Sequence, residues 1–393
     1  MNSGSITGWL TAAPSPRPVR IDWQDGRIRA VQPADAAPDL PIHLAAPLCD
    51  LQVNGYAGID FQQDDLEVEA LLQAVRGLRR DGCTRFFLTL ITEEWPRLTA
   101  RLRHLVGQRG RHPELAAAIM GWHLEGPFLS AEPGYAGAHD PACMIDPAPA
   151  LIDELRAAAG GQPLLLTMAP ERPGALAAIR HARAHGVRLQ LGHTNAPAAI
   201  LREAADRDGS LWFTHLGNGC PQQLDRHDNI LWRALDLEGL GTSLIPDGIH
   251  VSPALFRLIH HRKAGRIYYT TDAMSAAGAP PGRHRLGRLE LEVGADGVVR
   301  QPGRTNLAGS ACTPVEGVFR AAAMLGESWA PAWQRFSEIP ARLGGCPPLL
   351  VPGAPADFCV LRWEDPGGEA RGLRPILQTV VGGVMGDPRA AGA

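Results

Sequence analysis

Glu125, His193, His215, His250 and Asp272 each follow a short apolar run that reads as a buried strand: AIMGWHL, VRLQLG, LWFT, GTSLIPDGI and RIYYTT, in that order. Imidazole nitrogen and carboxylate oxygen are donors for divalent metals, and a hydrolytic zinc site uses three such ligands while leaving one position for water. Glu125, His193 and His215 form the candidate ligand set. Zn2+ is the first expectation, and Fe2+, Mn2+ and Co2+ use similar donors. Asp272 is then the candidate catalytic acid/base, taking the water's proton and returning it to the leaving group. Taken singly, each residue has a plainer reading. Glu125 caps a segment or bonds a neighbouring strand, a histidine after a strand is a hydrogen-bonded core residue, and Asp272 N-caps the next segment. Their shared placement at strand ends is left unexplained by those readings. His139, in EPGYAGAHDP, is either a surface residue or a group that reaches over the site and polarises a carbonyl.

Chemistry-bearing groups at the ends of successive strands are what the C-terminal mouth of a (β/α)8 barrel offers. Eight candidate strands run in order: LCDLQV, TRFFLTLI, AIMGWHL, PLLLTM, VRLQLG, LWFT, LGTSLI and RIYYTT. Helical patterns over Leu66–Arg80, Trp95–Val106, Gly174–Ala184, Ala196–Asp206 and Pro253–Lys263 lie between them, and such alternation predicts a parallel sheet. A loop and a helix in RTNLAGSACTPVEGVFRAAAML come after the eighth strand. PVRIDWQDGRIRAVQP predicts a hairpin about Asp25-Gly26, and DFCVLRW and ILQTVVGGVMG read as late strands. Neither end can bury a core alone. The expectation is an α/β architecture with the barrel over 48–349 and one small β domain built from 1–47 and 350–393. HHRK at 260–263 is expected as a solvated helix face.

A net charge of −3, from 38 basic and 41 acidic residues, excludes a nucleic-acid stripe and an acidic tail. The apolar share of 45% with 44 Gly and 34 Pro suits a loop-rich globular chain. No charged start precedes an apolar core at the N-terminus, and no run is long enough to span a bilayer, so neither a signal peptide nor a membrane partner is expected. Seven scattered cysteines without C-x-x-C spacing point to a reducing cytoplasm. Lys263 is the only lysine. The carbamylated lysine that bridges two metals in many cyclic-amide hydrolases, at the end of the fourth strand, is therefore excluded. Gln52 and Asn54 stand where a paired H-x-H would supply a second ion's ligands, so one divalent metal is expected.

DLQVNGYAGIDF (50–61), GWHLEGPFL (121–129), GAHDP (137–141), LGHTNA (191–196), THLGNG (214–219), PDGIHVSP (246–253), TTDAM (270–274) and LAGS (307–310) carry a resemblance over nearly the whole chain. In this combination and order they resemble the N-acetylglucosamine-6-phosphate deacetylase family of the amidohydrolase superfamily. The resemblance implies hydrolysis of the N-acetyl amide of an N-acetylhexosamine 6-phosphate, a small-molecule substrate, by a cytoplasmic homodimer. It places His139, already a catalytic candidate as a carbonyl-polarising group, in the loop that contacts the sugar and its acetamide. It also assigns Ala138, Asn218, Gly219, Asp247, His250, Leu307, Ala308 and Gly309 to substrate binding, and Arg226 to the phosphate, often across the dimer interface. The sequence departs at THLGNG, where Gly217 and Gly219 replace an aromatic residue and an alanine. That keeps open a deacetylase for another amide: an unphosphorylated N-acetyl sugar, an N-acetylgalactosamine derivative or an N-acetyl-D-amino acid. A non-catalytic barrel would have lost a ligand or the acid/base, and all four are present.

Overall fold

The computed structural model describes residues 2–11, 17–34, 42–205, 209–303, 307–362 and 376–390. Asp206, Trp363 and residues 304–306 of the expected elements lie outside them. The chain opens with β1 (Gly4–Leu10), β2 (Arg17–Gln24), β3 (Arg27–Pro33) and β4 (Ile42–Ala45). β2 and β3 make the expected hairpin, and Asp25 and Gly26 turn it with φ of 53° and 73°, the paired left-handed residues that match strand twist.

The barrel strands are β5 (Leu48–Val53), β8 (Cys83–Ile91), β9 (Ile119–Glu125), β10 (Leu164–Met168), β11 (Arg188–Leu191), β12 (Trp212–Phe213), β13 (Gly241–Leu244) and β14 (Ile267–Tyr269). A small paired excursion, β6 (Gly55–Tyr56) and β7 (Ile59–Asp60), comes directly after β5. The eight form one sheet in sequence order, every neighbouring pair parallel. LCDLQV and LLLTM are buried at every residue, as expected where strands are covered on both faces. A bridge between Val53 and Ala273 joins β5 to the segment after β14 and closes the ring. Helices cover the outside. Val68–Arg80, for instance, turns Leu71, Leu72, Val75 and Leu78 inward at helical spacing.

After β14 the structure departs from the expected plain loop. β15 (Gly282–Leu286), β16 (Leu289–Val293) and β17 (Val299–Arg300) make a separate antiparallel sheet. Its signal was legible in RLELEV, where Leu289, Leu291 and Val293 alternate with Glu290 and Glu292. Leu286, Leu291 and Val293 pack on Met274, Ala308 and Ala138, so this sheet buttresses the barrel mouth. Helix Pro314–Leu325 then begins with a Thr313/Glu316 capping box.

The chain finishes with β18 (Phe358–Arg362), β19 (Ile376–Val381), β20 (Val384–Met385) and β21 (Arg389–Ala390). These join the opening strands in the order β20-β19-β18-β4-β1-β2-β3, with β21 on β19. The predicted split β domain therefore exists, and Val19, Ile21, Trp23, Leu44, Phe358 and Val360 form its core. HHRK requires a correction. His261 and Arg262 are exposed, but His260 and Lys263 are buried. The Lys263 ammonium donates to the Leu237 carbonyl, and burial pushes its pKa down to about 8. A helix end packed on its neighbour needs such a partner for a terminal carbonyl, which the charge run hides.

Phe358 is fully buried and meets Trp23 edge-on at 5.6 Å, joining the two chain ends. Phe358→Ala is expected to cost about 3–5 kcal/mol in denaturant unfolding followed by Trp fluorescence. A loss below about 1 kcal/mol would show that the two ends do not share one core.

Candidate active site

Parallel register brings the strand ends to one rim: Thr167 pairs with Glu125, Met168 with Leu191, Leu191 with Phe213 and Leu244 with Tyr269. Glu125 ends β9 itself. His193 lies two residues past β11, His215 two past β12 and Asp272 three past β14. These last three have φ of 50°, 29° and 50°. Left-handed backbone at a non-glycine residue costs on the order of 1–3 kcal/mol, and such outliers gather where function requires an orientation.

The side chains converge. Glu125 Oε1 lies 2.7 Å from His215 Nε2 and 3.2 Å from His193 Nε2, and Glu125 Oε2 lies 3.6 Å from His139 Nε2. Glu125, His193 and His215 offer donor atoms within 4.8 Å of one another, all from buried residues. His193 Nδ1 donates to the Tyr135 carbonyl at 2.8 Å. That fixes the tautomer and leaves the Nε2 lone pair facing Glu125, the arrangement metal-ligating histidines use. Burial works to raise the Glu125 pKa, yet the imidazoles of His139, His193 and His215 around it hold it well below the usual range. An ionised carboxylate and inward imidazole nitrogens in a desolvated pocket fit a divalent cation, and nitrogen–oxygen donors without thiolate suit Zn2+.

Asp272 is not an N-cap. Gln52 Nε2 and Asn54 Nδ2 both donate to its Oδ1, at 2.9 and 2.8 Å. Both amides thus serve one oxygen and leave Oδ2 clear of the clamp. Burial, then the Glu125 charge, pushes the Asp272 pKa up to about 6 against the opposing pull of His215, His250 and Asn54. Beneath it, Asp50 accepts from Thr270 Oγ1 (2.5 Å), Thr271 Oγ1 (2.6 Å) and Thr271 N (3.0 Å), pinning the end of β14. Sequence reasoning assigned no role to Asp50, although a carboxylate inside the buried run LCDLQV was the available signal. Gln52 also accepts from Thr214 Oγ1 at 2.8 Å, tying the residue before His215 to the same clamp.

His139 is buried, not a surface residue. The Thr92 backbone N–H donates to its Nδ1 at 3.4 Å, so Nε2 carries the proton toward Glu125. Burial, followed by repulsion from His193, lowers its pKa and keeps the ring neutral. Asp247 Oδ2 lies 2.6 Å from His250 Nδ1, and Asp247 Oδ1 accepts the backbone N–H groups of Ile249 and His250. Burial opposes charging of His250, but Asp247 raises its pKa overall. Leu307–Gly309 lead into Ser310, whose N–H donates to the Asp272 carbonyl at 3.0 Å, and Gly309 (φ 66°) leans on Met274. Ala138 packs against the inserted sheet. The Asn218 N–H donates to the His215 carbonyl at 2.9 Å. Arg226 sits apart, on an exposed stretch, with Nε donating to His227 Nε2 at 3.1 Å.

The chain is 30% identical over 330 residues to the N-acetylglucosamine-6-phosphate deacetylase of Vibrio furnissii, covering 82% of this chain and 80% of the relative. It is 32% identical over 328 residues to the N-acetylgalactosamine-6-phosphate deacetylase of Escherichia coli O157:H7, covering 83% and 85%. The chain belongs to the N-acetylglucosamine-6-phosphate deacetylase family of the amidohydrolase superfamily. No protein-family model matches it. The N-acetyl-D-glucosamine-6-phosphate deacetylase of Mycobacterium smegmatis, solved as an aspartate-to-alanine mutant with N-acetyl-D-glucosamine-6-phosphate, superposes with a TM-score of 0.83. It is 30% identical and covers 98% of this chain and 99% of that one.

Within this deacetylase family, the glycines of THLGNG acquire a structural reason. A Cβ on Gly219 would stand 2.9 Å from His193 Nδ1, and one on Gly217 (φ 100°) only 2.6 Å from Val251 Cγ1. Here the loop packs backbone against the His193 ring, so alanine at 219 requires a shift. Thr92, Ala138 and His139 also line a cavity of about 350 Å³ that extends to Gly287 and Arg288 of the inserted sheet. Arg288 is latched there to Glu93 at 2.5 Å.

If Asp272 acts as a base it must be ionised, and kcat/KM is then expected to fall as pH drops through its pKa. The Asn54 N–H favours that form, and its removal raises the pKa. Asn54→Ala should therefore move the acid limb of the kcat/KM profile to higher pH. An unmoved limb would show that the amide clamp does not set the proton affinity of Asp272.

Proposed function

We propose that this chain hydrolyses the N-acetyl amide of N-acetylglucosamine 6-phosphate, giving acetate and the amino-sugar phosphate. The observation that carries the reading is Asp272, clamped through one oxygen by Gln52 and Asn54 beside the Glu125–His193–His215 set. Glu125, His193 and His215 are the metal ligands in this reading. A bound Zn2+ would supply Lewis-acid polarisation of the amide carbonyl and acidify the attacking water. Asp272 Oδ2 accepts the proton of that water as it adds to the carbonyl carbon, then delivers it to the amide nitrogen as the C–N bond breaks. His139, neutral and with Nε2 protonated, donates to the carbonyl oxygen as charge builds on it.

In the same reading Ala138, Asn218, Gly219, Asp247, His250, Leu307, Ala308 and Gly309 hold the sugar and its acetamide. Arg226 meets the phosphate from a second subunit of a homodimer. Support for the dimer is the exposure of Trp232 and Leu258, each 44% accessible, with Trp232 Nε1 donating to the Arg226 carbonyl. None of the seven cysteines forms a disulfide, which supports a cytoplasmic location. Among the described residues no helix is long and apolar enough to cross a membrane.

The E. coli relative favours N-acetylgalactosamine 6-phosphate as the second reading, which the departures at Gly217 and Gly219 keep open. Acetate release from both sugars, each with and without the 6-phosphate, tests the choice. The glucosamine phosphate should give the highest kcat/KM, and faster turnover of the galactosamine phosphate would install the second reading. Arg226→Ala should lower kcat/KM for the phosphorylated sugar about one to two orders of magnitude more than for its unphosphorylated counterpart, the loss of a charge-assisted contact. An unchanged ratio removes Arg226 from the phosphate site. Asp272→Asn should keep the fold and metal content while kcat drops by about 10²–10⁴-fold. Activity within a few-fold of wild type would transfer the proton role to another group, with His139 the first to test.

A further inference from the structure

A second constellation of metal-binding donors lies on the outer face of the barrel. His181 and His185, in the run HARAH, stand one turn apart on helix Ala175–Ala184 and its C-cap, the spacing that puts two side chains on one helical face. Their rings lie 4.2 Å apart, centroid to centroid. His185 Nδ1 donates to the His181 carbonyl at 2.9 Å, so its Nε2 carries a free lone pair. Across the groove, helix Pro149–Ala158 supplies Asp153, whose Oδ1 is 2.9 Å from His181 Nε2. All three residues offer donor atoms within 4.8 Å of one another. Hydrogen bonding from His181 holds the Asp153 carboxyl below its usual pKa. Arg156, 3.2 Å from Asp153 Oδ1, is the only competing side chain among the described residues, and the other carboxylate oxygen is left to an ion.

We propose that Asp153, His181 and His185 form an external site for a borderline-soft divalent cation such as Zn2+, Ni2+ or Cu2+, independent of the barrel mouth. Two imidazoles and one carboxylate are a Zn2+-type donor set, and waters complete the coordination on the open side. The site is shallow: His181 and Asp153 keep 25% and 51% of their side-chain surface. Binding is therefore weaker than at the buried centre and exchangeable. An ion there joins helix Pro149–Ala158, which begins where the loop bearing His139 ends, to the next helix of the barrel. It also alters how metal content is read. A total of about two ions per chain in excess zinc then has an explanation that needs no ion beside Gln52 and Asn54.

The test is a calorimetric titration of Zn2+ into the full-length protein that already carries one tightly bound ion per chain and has been dialysed free of excess. Wild type should take up one further ion. His185→Ala should abolish that uptake and Asp153→Asn should weaken it at least about tenfold, since even groups that only support a ligand are worth about 10–100-fold. Both substitutions lie at the surface, so the tight ion and acetate release should be unchanged in each. No second uptake by wild type, or undiminished uptake by His185→Ala, overturns the proposal.

Discussion

Val53 and Ala273 pair across the seam that closes the barrel, and the backbone N–H groups of Asn54 and Gly55 both donate to the Ala273 carbonyl, at 2.7 and 3.2 Å. The first and last strands of a (β/α)8 ring meet only if all eight keep register, so this contact summarises the whole fold. It also delivers chemistry. With Asn54 held to Ala273, the side chains of Gln52 and Asn54 have no distance left to cover before they reach Asp272. Asp50, on the same strand, fixes Thr270 and Thr271 from below. Closure of the barrel and orientation of Asp272 are thus one structural event. A change in β5 should be felt at the end of β14 before anywhere else.

Strain is concentrated at the same rim. Three of the six non-glycine residues at positive φ among the described residues are His193, His215 and Asp272. Each follows a short strand, and the side chains from there meet Glu125 or, for Asp272, the amides of Gln52 and Asn54. The cost is tolerated because the flanking segments are over-determined: Tyr135 holds His193, the Ser243 hydroxyl accepts the His215 N–H, and Ser310 ties Asp272. Glycines at 137 and 219 let the neighbouring backbone approach the His193 ring closely. The half of the site built on Glu125, His193 and His215 is held in place for these reasons. The 217–226 stretch is more exposed and carries the departures from the family pattern.

Most of this was legible in the sequence because the two periodicities involved are strong. Continuous apolar runs before Glu125, His193, His215 and Asp272 identified the strands, since a parallel barrel strand is buried on both faces and reads as a near-continuous apolar run. The hairpin at Asp25-Gly26 was legible because only a few residue pairs accept two left-handed positions. The features that escaped were decided by tertiary contact. The alternation in β16 runs over only five residues, and the inner face of the sheet is completed by Met274 and Ala308. Lys263 and His260 read as surface charge, yet a neighbouring carbonyl and the Tyr269 hydroxyl claim them. The role of Gln52 and Asn54 was half legible: their amides argued against a second ion, but that both aim at a single oxygen of Asp272 emerges only in three dimensions.

The central claim is that Glu125, His193 and His215 hold one internal metal while Gln52 and Asn54 serve Asp272 instead of a second one. Anomalous diffraction at the zinc absorption edge, from crystals grown with Zn2+, tests it most directly. The account predicts one peak inside the barrel, bounded by Glu125, His193 and His215, with the side-chain amides of Gln52 and Asn54 still turned to Asp272. A peak coordinated by Gln52 or Asn54, or a barrel mouth without any peak in zinc-loaded crystals, would contradict it.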